Sequence, residues 1–239
     1  MVGRNSQSAV RAAGRGQTRD IDVGLRNYML KIYNYMGVGL ALTGVIAYMI
    51  SNNASLMNTL TQSGVYWILL IAQIGLVFFL SFRVTKMSAA AAQLTFWAYA
   101  ALTGVTFSVL FAAYTSESLT RVFFITAGTF GAMSVWGYTT KRDLTAFGSF
   151  LMMGLIGLII ASVVNLFLHS SALMFITSAL GVLIFVGLTA YDTQKIKQMY
   201  YQVGQTALAE NFAILGALTL YLDFINLFLY LLRFLGDRR

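Results

Sequence analysis

The stretch TAFGSFLMMGLIGLIIASVVNLFL, residues 145–168, is an apolar run that carries no charged side chain. A helix needs about 20 apolar residues to cross the hydrocarbon core of a bilayer, and this run is long enough. Lipid offers no partners for backbone N–H and C=O groups, so the segment must satisfy them internally as a helix. It is too long and too uniformly apolar for a barrel strand. These residues therefore predict a membrane-spanning α-helix.

Six further apolar runs of similar length lie on either side of this one. Together the runs predict seven spanning helices, at 28–50, 65–82, 88–114, 119–140, 145–168, 172–191 and 210–234. The composition agrees, because 58% of the residues are hydrophobic and only 10% are charged, whereas soluble domains carry roughly a quarter charged residues. We therefore predict an all-α membrane protein with a transmembrane domain over residues 27–239.

Charge predicts how the chain is oriented. Residues 1–26 are polar and rich in Gly, Ser and Arg, which predicts a flexible cytoplasmic tail. Three loops on the same side as this tail are basic: Arg83 with Lys86, Lys141 with Arg142, and Lys195 with Lys197. Positively charged loops stay in the cytoplasm, so we expect a cytoplasmic N-terminus. Seven crossings then put the C-terminus outside with Arg238 and Arg239, unless the last segment is re-entrant.

The residue types also exclude several kinds of site. No cysteine is present and His169 is the only histidine, so thiolate metal sites, nucleophilic cysteines and zinc sites with several imidazoles are excluded. A His-based catalytic triad is disfavoured, and we expect neither enzyme activity nor a tightly bound cofactor. The net charge of +8 is concentrated in the tail and at span ends. That placement fits lipid head groups better than a nucleic-acid groove, so no nucleic-acid partner is expected.

Two aspartates are the candidate functional residues. Asp223 lies within LTLYLDFINLF at 218–228, inside the last span. A carboxylate at bilayer depth costs about 3 kcal/mol on insertion scales, so it must be protonated, paired or facing water. Asp223 is therefore either functional or a protonated side chain that hydrogen-bonds a neighbouring helix. Asp192 follows the sixth predicted span, where it could instead be a head-group-level residue beside Lys195. These limits separate the two aspartates in depth by on the order of 15 Å.

Two segments near the C-terminus together indicate a family. LTAYDTQKI at 188–196, followed by LTLYLDFINLF at 218–228, closely resembles the C-terminal signature of the transmembrane Bax inhibitor motif family. LKIY at 30–33 and the basic loop at 83–86 are compatible with the same family. The likeness covers nearly the whole chain after the tail. Its specific part is the pair of Asp-centred motifs.

The resemblance implies a fold and a function. The fold would be two three-helix groups around a central last helix. The function would be a pH-sensitive calcium leak channel, or an exchanger, in which Asp192 and Asp223 share a proton and act as weak calcium ligands. An arginine at the cytoplasmic end of the second span would act as a latch on the first aspartate; Arg83 is the best match and Lys86 the weaker one. Calcium would be the permeant ion.

Two other functions stay open. Members of this family are associated with restraining a partner, either a cell-death factor or, in bacteria, a membrane protease. A regulatory membrane protein that binds such a partner is therefore the first rival, and in it the aspartates would be structural. A proton-coupled transporter is the second, because carboxylates within spans also relay protons. In each case we expect a multi-pass protein, most simply of a bacterial inner membrane, in contact with lipid, calcium ions and protons.

Overall fold

The computed structural model describes the backbone of residues 3–62 and 64–239, and the side chains of residues 23–62 and 64–239. Over these residues the chain is almost entirely helical. A 3-10 turn, Val84–Lys86, follows α3. The helices are α1 (Gly3–Ser51), α2 (Ala54–Gln62), α3 (Val65–Arg83), α4 (Ala89–Ala113), α5 (Ser116–Thr139), α6 (Thr145–Leu168), α7 (Ser171–Val203) and α8 (Ala209–Leu235).

Seven of these helices are long and apolar enough to cross a membrane, which confirms the predicted number of spans. Only α2 among the described helices is too short to do so. The outer surface of the bundle carries large apolar side chains, such as Phe82 and Phe167, that are 77% and 80% exposed. A surface of this kind is stable in lipid and not in water. The all-α membrane fold is therefore confirmed.

The bounds of two helices differ from the prediction by more than three residues. The sixth spanning helix, α7, continues to Val203, beyond its predicted end at residue 191. The apolar run ends near residue 191, but the helix does not have to end there. Residues 192–203 contain no glycine or proline and include several good helix formers, so α7 continues as far as Gly204. Helix α1 begins at Gly3, so residues 3–22 have a helical backbone where the sequence predicted a flexible tail. A helix nucleated in the membrane adds residues outward at low cost. The side chains of residues 1–22 lie outside the described set.

The spans form two three-helix groups around the last helix, as the resemblance implies. The first group contains α1, α3 and α4, and the second contains α5, α6 and α7. Helix α8 packs against α1, α4, α5 and α7. Its most apolar segment is 67% buried, compared with 6% for α3 and 11% for α6. Helix α8 is therefore the centre of the bundle, whereas α3 and α6 face lipid over most of their surface.

Tyr221 anchors α8 in the first group. Its side chain is fully buried, and its hydroxyl is hydrogen-bonded to Thr43 Oγ1 on α1 at 2.6 Å. Its ring packs edge-on against Phe96 and Tyr99 of α4. One side chain thus joins the central helix to two helices of the first group.

Glycines bring the second group together at the C-terminal half of α7. A Cβ added at Gly137 of α5 would lie 2.3 Å from the carbonyl oxygen of Ala190. A Cβ added at Gly148 of α6 would lie 2.3 Å from the Tyr191 ring. Small residues let helix backbones approach closely in a membrane. Helices α5 and α6 therefore press on α7 directly before Asp192.

The C-terminus lies at the end of the bundle opposite the N-terminal tail. Helix α8 is one continuous helix of 27 residues, roughly 40 Å long, which is long enough to cross a bilayer without turning back as a re-entrant segment would. After α8, the backbone N–H of Asp237 donates to Ser118 Oγ at 2.9 Å. The carboxylate of Asp237 pairs with Arg121 at 2.8 Å. These contacts fasten the chain end to the first turns of α5.

Candidate ion and proton site

Asp192 on α7 and Asp223 on α8 lie side by side between the last two helices. Their carboxyl groups are within hydrogen-bonding reach of each other. Asp223 is only 5% exposed, and Asp192 is partly buried. The Oδ2 atom of Asp223 receives no hydrogen bond from a donor among the described residues. An ionised carboxylate only accepts hydrogen bonds, so the two groups bond to each other only when one carries a proton.

The contact between the aspartates contradicts their predicted separation. The predicted span ended at Tyr191, because polar and charged residues follow it, and this placed Asp192 at the membrane edge. In the structure α7 continues through Asp192 to Val203. The predicted offset on the order of 15 Å is wrong, because the carboxyl groups of Asp192 and Asp223 lie next to each other. The glycine contacts at Gly137 and Gly148 then hold this part of α7 within the bundle.

Three hydroxyl groups form a hydrogen-bonded line next to Asp192. Thr193 Oγ1 donates to the carbonyl of Thr189 at 2.7 Å. Because a hydroxyl has one proton, Ser134 Oγ must donate to Thr193 Oγ1, at 3.0 Å, and the Tyr33 hydroxyl to Ser134 Oγ, at 2.9 Å. We call these three side chains the hydroxyl line. It joins α1 of the first group to α5 and α7 of the second, one residue from Asp192.

Gln194 holds the turn between α5 and α6. Its Nε2 donates to the carbonyl of Arg142 at 2.8 Å, and its Oε1 accepts from the backbone N–H of Leu144 at 2.9 Å. Both bonds fall in the turn between α5 and α6. Consecutive residues of the YDTQK motif therefore have different contacts: Asp192 with α8, Thr193 with α5, and Gln194 with the α5–α6 turn.

Asn211, near the start of α8, holds a turn of the first group in the same way. The Asn211 side chain is buried, and its Nδ2 donates to the carbonyls of Val84 and Met87 at 2.7 and 2.8 Å. These carbonyls belong to the turn between α3 and α4, which carries Arg83 and Lys86. Sequence reasoning missed Asn211, because its backbone partners are more than 120 positions away along the chain.

The structure brings the two aspartates together but leaves the predicted latch residues apart from them. Arg83 at the end of α3 and Lys86 in the turn that follows are both exposed. The ion pairs among the described side chains are Lys31–Glu210 and Arg121–Asp237. The cation whose charge acts on Asp192 is Lys195, one helical turn further along α7.

A second polar cluster, which sequence reasoning also missed, joins α1 to the start of α8. Glu210 accepts a hydrogen bond from the Tyr35 hydroxyl at 2.7 Å and pairs with Lys31. Lys31 and Tyr35 are four residues apart and so lie on one face of α1. The sequence signal for this contact is a lysine and a tyrosine four residues apart on α1, together with an acidic residue, Glu210, at the start of the last span.

The two aspartates are the acidic groups from which a cation site would be built. Among the described residues, no group of three or more His, Cys, Asp or Glu side chains could hold a metal ion. Calcium usually takes six to eight oxygen ligands. A pair of carboxyl groups supplies too few for tight binding, and therefore fits a transient contact with a passing cation.

Known proteins resemble this chain over almost its full length. The sequence profile of the family described as "Inhibitor of apoptosis-promoting Bax1" matches residues 25–239. The inner membrane protein YbhL of Escherichia coli is 52% identical over 219 residues, which cover 90% of this chain and 94% of that protein. An uncharacterized protein of Rickettsia prowazekii is 51% identical over 223 residues, covering 93% and 94%. An uncharacterized protein of Borreliella burgdorferi is 48% identical over 214 residues, covering 89% and 92%.

Proposed function

This chain belongs to the family described as inhibitor of apoptosis-promoting Bax1, and from that membership we propose that it is a pH-sensitive calcium leak channel, or an exchanger, gated by Asp192 and Asp223. The observation that carries the proposal is the contact between these two carboxyl groups inside the transmembrane domain. Ionisable side chains at bilayer depth are costly and commonly mark ion pathways and proton relays.

The gate works through one shared proton. With the proton present, the two carboxyl groups hydrogen-bond and hold α7 against α8. Without it, two negative charges about 4 Å apart repel by about 4 kcal/mol at an effective dielectric constant near 20. A free energy of that size changes a two-state equilibrium by roughly a thousandfold. Protonation of the pair is therefore strong enough to decide between a closed and an open arrangement.

The latch in this proposal is Arg83, with Lys86 as the weaker alternative. Both lie at the cytoplasmic end of α3, and α3 has the smallest buried share of the seven spans. A helix with so few buried residues can move at little cost in free energy. This supports a movement of α3 that brings Arg83 toward Asp192 after the shared proton is lost. A guanidinium–carboxylate contact is charge-assisted and would then compensate the freed charge. Lys195, already near Asp192, is the competing cation.

Calcium is the proposed permeant ion. A conducting site must bind the ion well enough to admit it and weakly enough to release it. Two carboxylates without further acidic ligands meet that requirement better than a closed site with six to eight oxygens would.

The test is calcium flux into liposomes that contain a trapped calcium indicator, measured over a range of pH. Asp192→Asn and Asp223→Asn are expected to abolish the pH dependence of the flux. Glu210→Gln is the matched control, because Glu210 is an acid on α8 that pairs with Lys31 instead of an aspartate. If both asparagine variants keep the parent's pH profile, the sensor assignment is wrong. Calcium flux that requires an opposing proton gradient identifies an exchanger or a proton-coupled transporter.

The rival function, restraint of a protein partner, is favoured by the extension of α1. This helix begins at Gly3 although its spanning part begins at Val23, and the extension is rich in arginine. Deletion of residues 1–22 separates the two functions. Loss of a co-purifying membrane protein with unchanged flux supports the regulatory role, whereas the channel needs the aspartates and not the extension.

The proposed location is a bacterial inner membrane with the N-terminus in the cytoplasm. The relative from Escherichia coli is by name an inner membrane protein, and the basic loops support this orientation. The chain contains no cysteine, so single cysteines placed in opposite loops can be labelled with a membrane-impermeant maleimide. Labelling of residue 140 from outside intact cells would refute the orientation.

A further inference from the structure

A continuous groove runs between α1 and α5. It consists of three cavities of about 480, 570 and 390 Å³. The first two cavities share Met36 and Phe130, and the last two share Leu40, Gly44, Phe123 and Phe224. Along α1 the groove extends from Arg26 to Tyr48. At 1.5 Å per residue that is roughly 33 Å, about the thickness of the hydrocarbon core.

The groove lies where the two three-helix groups separate. Helix α1 packs on α4 and α8, and α5 packs on α7 and α8, so α8 forms the floor. At the cytoplasmic third, the Tyr33–Ser134 bond of the hydroxyl line crosses between the walls. The middle cavity, directly above this bond, is lined by Leu, Met, Val, Phe, Ala and Gly.

Glycines widen this groove instead of packing helices together. A Cβ added at Gly37 or Gly44 of α1, or at Gly131 of α5, would meet no atom within 4 Å. By contrast, a Cβ at Gly104, where α4 meets α1, would lie 2.8 Å from a backbone oxygen. The three groove glycines therefore leave space that no part of the described chain fills.

We propose that this groove is a lipid-binding site that holds an acyl chain of an anionic phospholipid, with its phosphate at Arg26. A space without partner atoms forfeits dispersion contacts. The groove opens sideways at the depth where acyl chains are the surrounding solvent. Arg26 stands exposed at its cytoplasmic mouth, and takes part in neither of the ion pairs described. A guanidinium at head-group level attracts anionic lipid.

The test uses the full protein in vesicles of phosphatidylethanolamine and phosphatidylglycerol, with a trace of phosphatidylglycerol that carries a photoreactive group on its acyl chain. After illumination, labelled residues are mapped by mass spectrometry. The expected result is excess labelling of the groove walls, at 36–45 and 123–131, over the lipid-facing surfaces of α3 and α6.

Two sets of variants make the result specific. Gly37→Leu with Gly44→Leu fills the groove and is expected to remove the excess. Gly75→Leu with Gly157→Leu is the matched control, because these glycines on α3 and α6 are equally open but lie outside the groove, and labelling should not change. Arg26→Gln, a surface substitution compatible with folding, should lower labelling by the phosphatidylglycerol probe but not by a phosphatidylcholine probe.

Three results would overturn the inference. Labelling equally distributed over all lipid-facing helices would show bulk lipid contact only. Labelling that survives in the filled variant would place the acyl chain elsewhere. Disulfide cross-linking between single cysteines at residue 44 of two chains, in place of lipid labelling, would show that a second copy covers the groove. None of these outcomes depends on calcium conduction, so the lipid site and the proposed channel fail independently.

Discussion

Gly137→Ala perturbs the contact between α5 and α7. Gly137 faces Ala190, which precedes Asp192 by two residues on α7. The added Cβ would lie 2.3 Å from Ala190 O and 2.8 Å from Ala190 Cα. An ordinary contact begins at 3.4 Å, so the two helices must separate by roughly 1 Å. Both contacted atoms belong to the main chain, so no change of rotamer can relieve the overlap.

The expected loss of stability follows from two opposing effects. Overpacking a close contact costs typically 1–3 kcal/mol. Replacing glycine by alanine in a helix gains up to about 1 kcal/mol. Gly131→Ala on the same helix has the gain without the overlap, because its Cβ meets nothing within 4 Å. The difference between the two variants therefore measures the overlap alone, and corresponds to a Tm difference of roughly 2–12 °C at this chain length.

The assay is thermal unfolding of both variants in the same detergent, followed by circular dichroism. We expect Gly137→Ala to melt below Gly131→Ala. Asp192 follows Ala190 on α7, so Gly137→Ala should also change the pH profile of calcium flux if the proposed gate is right. Equal melting temperatures would refute the reasoning, because α5 would then move away from α7 at no cost and Gly137 would not hold α7 in place.

Three further predictions address single contacts. Thr193→Val keeps the shape of the side chain but breaks the hydroxyl line. Hydrogen bonds between membrane helices contribute about 0.6 kcal/mol on average and up to about 1.7 kcal/mol to stability. The Tm should therefore fall by a few degrees. Asn211→Ala removes both hydrogen bonds that hold the α3–α4 turn, and amide hydrogen exchange measured by mass spectrometry should rise in that turn and not in the α5–α6 turn. Hydrogen bonds from the hydroxyl and the backbone N–H of Thr145 hold the pKa of Asp143 below its usual value. Because the pKa of Asp143 is lower in the folded state, its hydrogen bonds stabilise the start of α6 fully at pH values above the usual aspartate pKa, about 3.9. This stabilisation is lost as the pH falls through the lowered pKa. An NMR titration of Asp143 should thus have its midpoint below 3.9, and a midpoint at or above that value would contradict the assignment.

Much of the fold could be predicted because hydrophobicity acts locally along the chain. Each run of about 20 apolar residues must cross the bilayer as a helix whatever the other runs do. The bounds of α7 could not be predicted in this way, since hydropathy reports where lipid ends and not where the helix ends. The position of Asp192 in the bundle could not be predicted either, because it depends on the close packing of Gly137 and Gly148 against α7.

The residues of the candidate site were predictable, and the family resemblance implied the Asp192–Asp223 pair, but spacing along the chain predicted none of the site's contacts. Asp223 stands out because a carboxylate inside a span is costly. Asn211 and Gln194 do not stand out, since amides at span ends are common in membrane proteins. Their importance comes from the backbone groups they meet in distant turns, and those partners are determined by packing.

By itself, the sequence determined that this protein is a bundle of seven membrane-spanning helices with two acidic residues near its end, because transfer into lipid depends on each segment's own side chains. Only the tertiary structure decided that Asp192 and Asp223 touch, and that α1 and α5 stand apart to leave a groove. Those distances depend on how closely helix backbones approach one another. Glycines such as Gly137 set that approach only when a particular neighbour lies opposite them.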